Sequence, residues 1–521
     1  MREYPRKIID LMSRSISLRI QNCHEQALEC LDEVTRIHPD FLPVLIEKGI
    51  ILGELGRYEE SVEFFDRFLQ VLPDLSQVRL LRDNTLHDAL AHYDGLLAVN
   101  PGNPALSIER GDILQKLRRY AEAVDSYNRA LEIDGNSIDA LNRRGNAFLE
   151  LNRHEDSLES YDLALTIDPG NALVLFNKGN VLQQLGKMDE ALDNYSRALE
   201  FEPGLVEAII EQSHCGLAMG DYRTGWRQYE SRWKSDQLKD SRLDSTSPLW
   251  LGEEDLAGKT ILLWSEQGLG DTIQFLRYVP LAAQKAGRVI LRVPEALRSL
   301  SGTLKSSAAI IGDEDVLPSH DFHCPLMSMP LAFGTTLESI PADIPYLRAN
   351  ADQVEVWRNR LGPGPGPRVG LVWAGRQYGL RNGTRDIRLE ILRPLSQLNV
   401  DIISLQKTIP EEDRNAVAAL PQFRWIGEAL TDFADTAALI SNLDIVISVD
   451  TSVAHLAGAL GKPVWILLRH SGEWRWLWGR GDSPWYPTAR IFRQKIRGDW
   501  AGVVDEVTDQ MRLWISKGPA E

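Results

Sequence analysis

Gly111, Gly145 and Gly179 stand 34 residues apart, and so do Tyr127, Tyr161 and Tyr195, and Ala130, Ala164 and Ala198. Turns recur in the same phase at Asp134-Gly135, Asp168-Pro169 and Glu202-Pro203. A period of this length restricts the first half of the chain to an array of stacked units, because one unit alone cannot bury its apolar face. Each unit reads as two amphipathic helices. The small residue lets the paired helices approach, the aromatic fills the gap beside it, and Pro or Gly stops the second helix. Counting in phase gives units at 104–137, 138–171, 172–205 and a divergent one at 206–239, with earlier units at 8–41 (Ala27, Pro39) and 42–75 (Gly49, Phe65, Pro73). The stretch 76–103 is six residues short of a unit and keeps only the second-helix landmarks Ala89, Tyr93 and Pro101, which predicts a truncated first helix and a kink in the array. Residues 1–240 therefore form an α-helical superhelix of six to seven units.

The pattern resembles the tetratricopeptide repeat. The resemblance implies an extended concave surface that takes a protein or peptide partner. A spacer or self-association scaffold is the alternative reading. Asn142, Asn146, Asn177 and Asn180 fall on first helices and suit bonding to a peptide backbone, or else form solvated helix surface.

Composition narrows the remaining classes. The 521 residues carry a net charge of −17, of which −14 belongs to residues 1–240 and −3 to the rest. Neither part offers the overall basic footprint that non-specific nucleic-acid binding needs. The four cysteines, Cys23, Cys30, Cys215 and Cys324, show neither CxxC spacing nor a His cluster, which argues against a zinc module or disulfide framework. Charged residues interrupt the first 20 positions, and no later stretch has membrane-spanning length, so a cytoplasmic location without a membrane span is expected.

Beyond residue 245 the period stops. Short apolar runs at Ile261–Trp264, Val289–Val293, Val369–Trp373, Ile402–Leu405, Ile445–Val449 and Val464–Leu468 alternate with helical stretches, the pattern of α/β parallel sheets covered on both faces. The Pro/Gly segment 362–367 separates a Rossmann-like lobe at 245–361 from a second at 368–515. Ligands of such sheets bind outside the carboxyl ends of strands, so the strand-to-helix loops carry the chemistry.

Three loops stand out. Ser265-Glu266-Gln267-Gly268-Leu269-Gly270-Asp271-Thr272 follows a strand and opens a helix expected at 273–286. Gly268 and Gly270 permit a tight turn, but Ile273 replaces the third glycine of a dinucleotide fingerprint, so no nicotinamide or flavin cofactor is expected. Asp271 either serves as a helix N-cap or faces the cleft. Asp450-Thr451-Ser452 leads a helix containing His455 that Gly461 and Pro463 terminate, and free amides at its start suit a diphosphate. His455 is either a packing residue or a donor to phosphate oxygen. Ala374-Gly375-Arg376, followed by Arg381, Arg385 and Arg388, supplies cations that would neutralise a departing phosphate without a metal, or else forms a solvated basic loop.

With these loops in order, residues 260–500 look like the GT-B glycosyltransferases of the heptosyltransferase class, and the chain resembles bacterial fusions of tetratricopeptide repeats to such a domain. Gly268-Leu269-Gly270-Asp271, Asp450-Thr451-Ser452 with His455, Ser404-Leu405-Gln406, the 324–328 segment, Trp474-Arg475-Trp476 and the 483–487 segment carry the likeness. It implies inverting, metal-independent transfer of a sugar from a nucleotide-diphosphate sugar to an acceptor hydroxyl. Asp271 would be the general base, with Glu266, Gln267, Gly268 and Gly270 on the acceptor side or in the turn, and Glu266 otherwise a surface or packing residue. Gly375, Arg385, Gln406, Lys407, Asp450, Thr451, Ser452 and His455 would bind the donor. Ser452 stands where the class usually shows Gly, and Arg469-His470-Ser471-Gly472 replaces its Gly-Pro-Thr. Repeats beside a GT-B pair are similar in architecture to protein O-GlcNAc transferases, which implies a protein acceptor.

Two competing readings are set against this. Asp313-Glu314-Asp315 has the Asp-x-Asp form of a metal-dependent transferase, or is an exposed turn. A non-catalytic scaffold with a degenerate transferase-like half is the other. Trp474, Trp476, Trp478 and Trp485 either stack on a ligand or fill a core.

Overall fold

The computed structural model describes residues 6–517 apart from 40, 74, 237, 239–241, 376–384, 421–422 and 472. The chain divides into two compact units, Met1–Val181 and Leu182–Glu521.

In the first unit the repeat arithmetic translates directly into helix pairs. Arg6–Ile20 pairs with His24–Ile37, Pro43–Glu54 with Tyr58–Val71, Pro104–Lys116 with Tyr120–Ile133, and Ile138–Glu150 with His154–Ile167. Asn103 and Ser137 cap first helices through their side chains, at Ala105 N and Ala140 N. The repeated glycine is a packing requirement. A Cβ at Gly145 would lie 2.5 Å from the Tyr161 ring, whose hydroxyl donates to Asn146 Oδ1 at 2.6 Å. Ser157 Oγ adds a bond to the Gly145 carbonyl at 2.7 Å.

Two expectations change here. Residues 76–103 do not hold a truncated first helix followed by a second. A single helix, Ser76–Val99, runs through the segment, since no Pro or Gly interrupts it before Gly95. The asparagines are also not merely solvated surface. Asn177 Nδ2 donates to Asn142 Oδ1 at 2.9 Å, and Asn146 accepts from Tyr161, so these amides join helices within the array.

The second unit begins with helical elements at Met188–Phe201, Val206–Met219 and Tyr222–Tyr229, followed by a 3-10 turn at Glu230–Lys234. It then holds two all-parallel sheets. The first contains β1 (Thr260–Trp264), β2 (Arg288–Val293), β3 (Ala309–Gly312) and β4 (Phe322–Pro325) in the order β3-β2-β1-β4. The second contains β5 (Arg368–Val372), β6 (Asp401–Ser404), β7 (Phe423–Trp425), β8 (Ile445–Val449), β9 (Val464–Leu468) and β10 (Ala489–Arg493) in the order β10-β9-β8-β5-β6-β7. The six strands expected from apolar runs are the six interior strands, and β3, β4, β7 and β10 are the four edges. Interior strands are covered on both faces and almost wholly buried, whereas β3, β4 and β7 are mostly only partly buried.

One core joins Leu217, Tyr222, Trp226 and Tyr229 of the last repeat helices to both sheets, while the C-terminal helix Trp500–Lys517 covers the other face of the second sheet. Trp226 is 1% exposed and meets Phe275 and Trp474 edge-on, with ring centroids 5.9 and 5.1 Å away. The Trp485 indole donates to Tyr222 Oη at 2.8 Å. The helix Ala351–Leu361 precedes the Pro/Gly linker but packs on Phe433–Ser441, with Trp357 Nε1 donating to Asp435 at 2.6 Å. Within the linker, a Cβ at Gly364 would crowd the Asp401 side chain.

Candidate active site

The first loop folds more tightly than expected. The helix begins at Leu269 with Gly268 at the N-cap, runs to Phe275, passes through a 3-10 turn at Leu276–Tyr278 and resumes at Val279–Lys285, where Pro280 sits in the opening turn. Gly270 and Asp271 therefore lie inside the first turn, and Asp271 is not the cap. The glycine at 270 answers to a close approach. A Cβ there would stand 3.0 Å from the His455 ring and 3.4 Å from Ser452 Cα, so the Gly268–Asp271 turn abuts the start of the Ser452–Ala459 helix.

Asp271 is held from the far end of the sequence. Its Oδ1 accepts from Arg475 Nε at 2.7 Å and also pairs with Nη2 of the same guanidinium. Arg475 Nη1 reaches Glu473 Oε2 at 3.3 Å, and the guanidinium lies over the Trp474 ring, 4.5 Å from its centroid. Burial works against the Arg475 charge, but Asp271, Glu473, Tyr229 and Asp450 outweigh it and hold the guanidinium firmly protonated. Arg277, on the 3-10 turn after the Asp271 helix, ties that stretch to the Trp485 carbonyl at 2.7 Å.

The second lobe supplies the facing groups. β8, β5 and β6 are neighbours, so their carboxyl ends bring Asp450, Ala374–Gly375 and Gln406–Lys407 to one sheet edge, at about 4.8 Å per strand. Asp450 Oδ1 accepts from the Trp476 indole at 2.8 Å. Burial pushes its pKa up, Glu473 adds to this, and Trp476, Arg475 and Arg385 oppose it. Thr451 occupies the N-cap position without a side-chain cap bond and instead shares a hydrogen bond with Ser448 Oγ at 2.9 Å. Ser452 is the first residue of the helix and half-buried.

Gln406 Oε1 accepts from Ala374 N at 3.3 Å, binding two of these loops together. Lys407 is exposed, with Nζ on the Thr431 carbonyl at 3.2 Å. The Gly375 amide donates to Asp386 at 2.9 Å, and the Arg385 guanidinium lies directly against Gly375, so a side chain there would displace it. Arg385 Nε is buried without a hydrogen bond among the described residues, its ion-pair partner Asp386 Oδ1 standing 3.8 Å away. Arg376 and Arg381 lie outside the described residues, and Arg388 pairs at 3.5 Å with Asp413, whose other oxygen takes the Trp373 indole.

His455 and Glu266 both sit in packed surroundings. His455 is 3% exposed, stacks on Trp476 with centroids 4.9 Å apart, bonds Tyr486 Oη at 3.0 Å and lies 3.9 Å from Asp450. Burial, then Arg475 and Arg277, drives its pKa well below the ordinary histidine value, so the ring is neutral and packed between Trp476 and Tyr486. Glu266 contributes to the cavity wall but keeps its carboxylate paired. Its side chain is fully buried, with Oε1 taking Arg232 at 3.1 Å and the Met327 amide at 3.2 Å. Burial pushes it up to about 7, against the pull of Arg232. Gln267 is oriented by Tyr229 Oη, which accepts from its Nε2 at 2.8 Å. The 265–267 loop lines a cavity of about 650 Å³ with Arg242, Asp244, Arg292 and Asp313, at the carboxyl ends of β1 and β2. Asp313-Glu314-Asp315 forms a turn in which Asp315 takes the Gly312 amide at 2.9 Å and Arg298 at 3.0 Å.

Arg475, Glu473 and Tyr229 were missed as site residues by sequence reasoning. The available signal was a cation inside a tryptophan-rich run, but its partner lies 204 residues away. Trp474, Trp476 and Trp485 are 4%, 0% and 0% exposed and fill the core rather than offering a stacking face.

Comparison with known proteins agrees with this organisation. Residues 410–498 match the family described as glycosyltransferase family 9 (heptosyltransferase). Residues 172–205 match the tetratricopeptide repeat, and 111–152 and 145–186 match a related repeat family. Protein FlbA of Caulobacter vibrioides is 28% identical over 324 residues, covering 57% of this chain and 53% of that protein. The DnaJ homolog subfamily C member 7 homolog of Schizosaccharomyces pombe is 25% identical over 143 residues, covering 23% of this chain and 30% of that protein. The chain thus spans about half the length of the first relative and less than a third of the second. Among solved structures, YrrB, described as a repeat protein with an unusual peptide-binding site, is 18% identical with a TM-score of 0.22, covering 39% of this chain and 90% of its own. TTC0263 of Thermus thermophilus is 19% identical with a TM-score of 0.24, covering 33% and 97%. The chain joins tetratricopeptide repeats to a C-terminal domain of the glycosyltransferase family 9, or heptosyltransferase, type.

Proposed function

We propose that the second unit is an inverting, metal-independent transferase of the GT-B kind, moving a sugar from a nucleotide-diphosphate sugar to a hydroxyl of a protein or glycan. The observation that carries this reading is the abutment of the Gly268–Asp271 turn on the Ser452 helix start, which joins the carboxyl edges of both sheets. Asp271, about 3 Å from an acceptor oxygen, takes its proton as that oxygen attacks the anomeric carbon. The bond from that carbon to phosphate oxygen breaks on the opposite face. Amides of the Ser452 helix and Arg385 receive the charge on the departing nucleotide. Gln406 and Lys407 flank the nucleoside, and the cavity beside Gln267 admits the acceptor. The repeats recruit the acceptor or another protein partner.

Isothermal titration with UDP, GDP, ADP and CDP, followed by turnover of the matching nucleotide sugars by wild type and Asp271→Ala, tests the reading. Binding of one nucleotide with turnover abolished in Asp271→Ala is expected. Absence of any binding sinks the enzyme reading, and full turnover by Asp271→Ala sinks the base.

A further inference from the structure

We infer that Arg475 is a positioning residue for this transfer, fixing the Asp271 carboxylate from the opposite lobe. The inference rests on the proposed role of Asp271 as base. A base must present one oxygen to the acceptor in a fixed direction, and a carboxylate on the first turn of a short helix has two free torsions. Arg475 removes that freedom by approaching Oδ1 with both Nε and Nη2, while Nη1 is committed to Glu473. None of these ion-pair contacts engages Oδ2. A side chain at residue 268 would crowd it, since a Cβ on Gly268 would lie 3.3 Å from Oδ2.

The guanidinium is itself rigid. It rests on Trp474, whose ring packs edge-on against Trp226 at 5.1 Å and against Tyr229 at 6.2 Å. Asp271 belongs to the first sheet's helix and Arg475 to the segment after β9, so the base is oriented only while the two lobes are together. Lysine cannot reproduce this, because a point charge on a flexible stem lacks the planar fork that fixes a carboxylate's direction.

The test is steady-state turnover of the nucleotide sugar selected by the UDP, GDP, ADP and CDP series, for wild type, Arg475→Met, Arg475→Lys, Asp271→Asn and the Arg475→Met/Asp271→Asn double variant. Misorientation of a reacting group by about 1 Å costs about 10²-fold, so Arg475→Met is expected to lower kcat by that order. Donor KM is expected to stay within about 2-fold, because an interaction that serves the transition state alone leaves ground-state binding unchanged. Arg475→Lys recovers part of the loss, and Arg475→Met adds no further loss on the Asp271→Asn background. Thermal melting checks folding, and if Arg475→Met does not fold, Arg475→Lys alone and on the Asp271→Asn background carries the comparison. A raised donor KM with unchanged kcat would make Arg475 a donor ligand and overturn the inference, as would additive losses in the double variant. If Asp271→Asn is inactive while Arg475→Met turns over at the wild-type rate, this inference alone fails. If Asp271→Asn retains full turnover, the base assignment fails and takes the inference with it.

Discussion

The regular repeats and the last repeat helices start from one pattern and commit their aromatic residues differently. In the regular pairs a single tyrosine, Tyr127 or Tyr161, fills the space left by its glycine, and its hydroxyl bonds Asp112 or Asn146 of the same pair. In the last pair Tyr222, Trp226 and Tyr229 reach Trp485, Phe275, Trp474 and Gln267 of the transferase half. A repeat that packs on its own kind needs one small residue and one aromatic per period. A repeat that packs on a different fold needs a cluster of large aromatics, and its period dissolves.

The largest expected effect separates these two roles. Deleting residues 206–234 removes part of the core shared with both sheets, so the transferase half loses its cooperative melting transition. Deleting residues 6–103 instead leaves that transition in place, because repeat arrays contact only nearest neighbours. Calorimetry of the two deletion proteins reads the difference, and equal loss in both would erase the distinction drawn here.

Next in size is Trp226→Ala, a large-to-small change at a buried site, expected to destabilise the second unit by about 3 to 5 kcal/mol in urea unfolding. A loss under about 1 kcal/mol would place the indole at a surface rather than in the shared core.

Glu266 gives a pH signature of similar scale. The unfolded carboxyl titrates near 4.5, and burial raises the folded group to about 7. Between those values the native state holds a proton that the unfolded state has released, so stability falls as pH rises through the window and then levels off. The loss amounts to about 3 kcal/mol, and Glu266→Gln abolishes that slope. Unfolding midpoints at about pH 5 and pH 7.5 for both proteins check it, and parallel pH dependences would contradict it.

The smallest effect belongs to the regular repeats. Tyr161→Phe keeps the ring against Gly145 and deletes the bond to Asn146, at about 1 kcal/mol, measured as a shift in urea midpoint.

How much was legible follows the same divide. Gly145 and Tyr161 announce their contact because a fixed period places them 16 residues apart in each unit. The interior strands β1, β2, β5, β6, β8 and β9 announce themselves by nearly continuous burial, and the edges β3, β4, β7 and β10 do not, being partly exposed. In the proposed site, the placement of Asp271 and Asp450 on neighbouring helix starts was legible from the glycines and the apolar strand before them. His455 was legible as a residue of interest but not as a buried ring, because local sequence does not reveal that Trp476 and Tyr486 return over it. Arg475 was invisible as Asp271's partner, since a contact across the whole second unit leaves no periodic trace. The repeat at 76–103 misled through its landmarks, which survive inside one unbroken helix.

The account stands on the claim that the Gly268–Asp271 turn and the Asp450–Ser452 helix start form one active site. Nucleotide affinity by titration and sugar turnover on wild type and Asp271→Ala test it together. In Asp271→Ala, nucleotide affinity is expected to stay within about 2-fold of wild type and turnover to fall by about 10³-fold or more, the scale of losing a general base. Undiminished turnover in Asp271→Ala, or no nucleotide binding by the wild type, would contradict it.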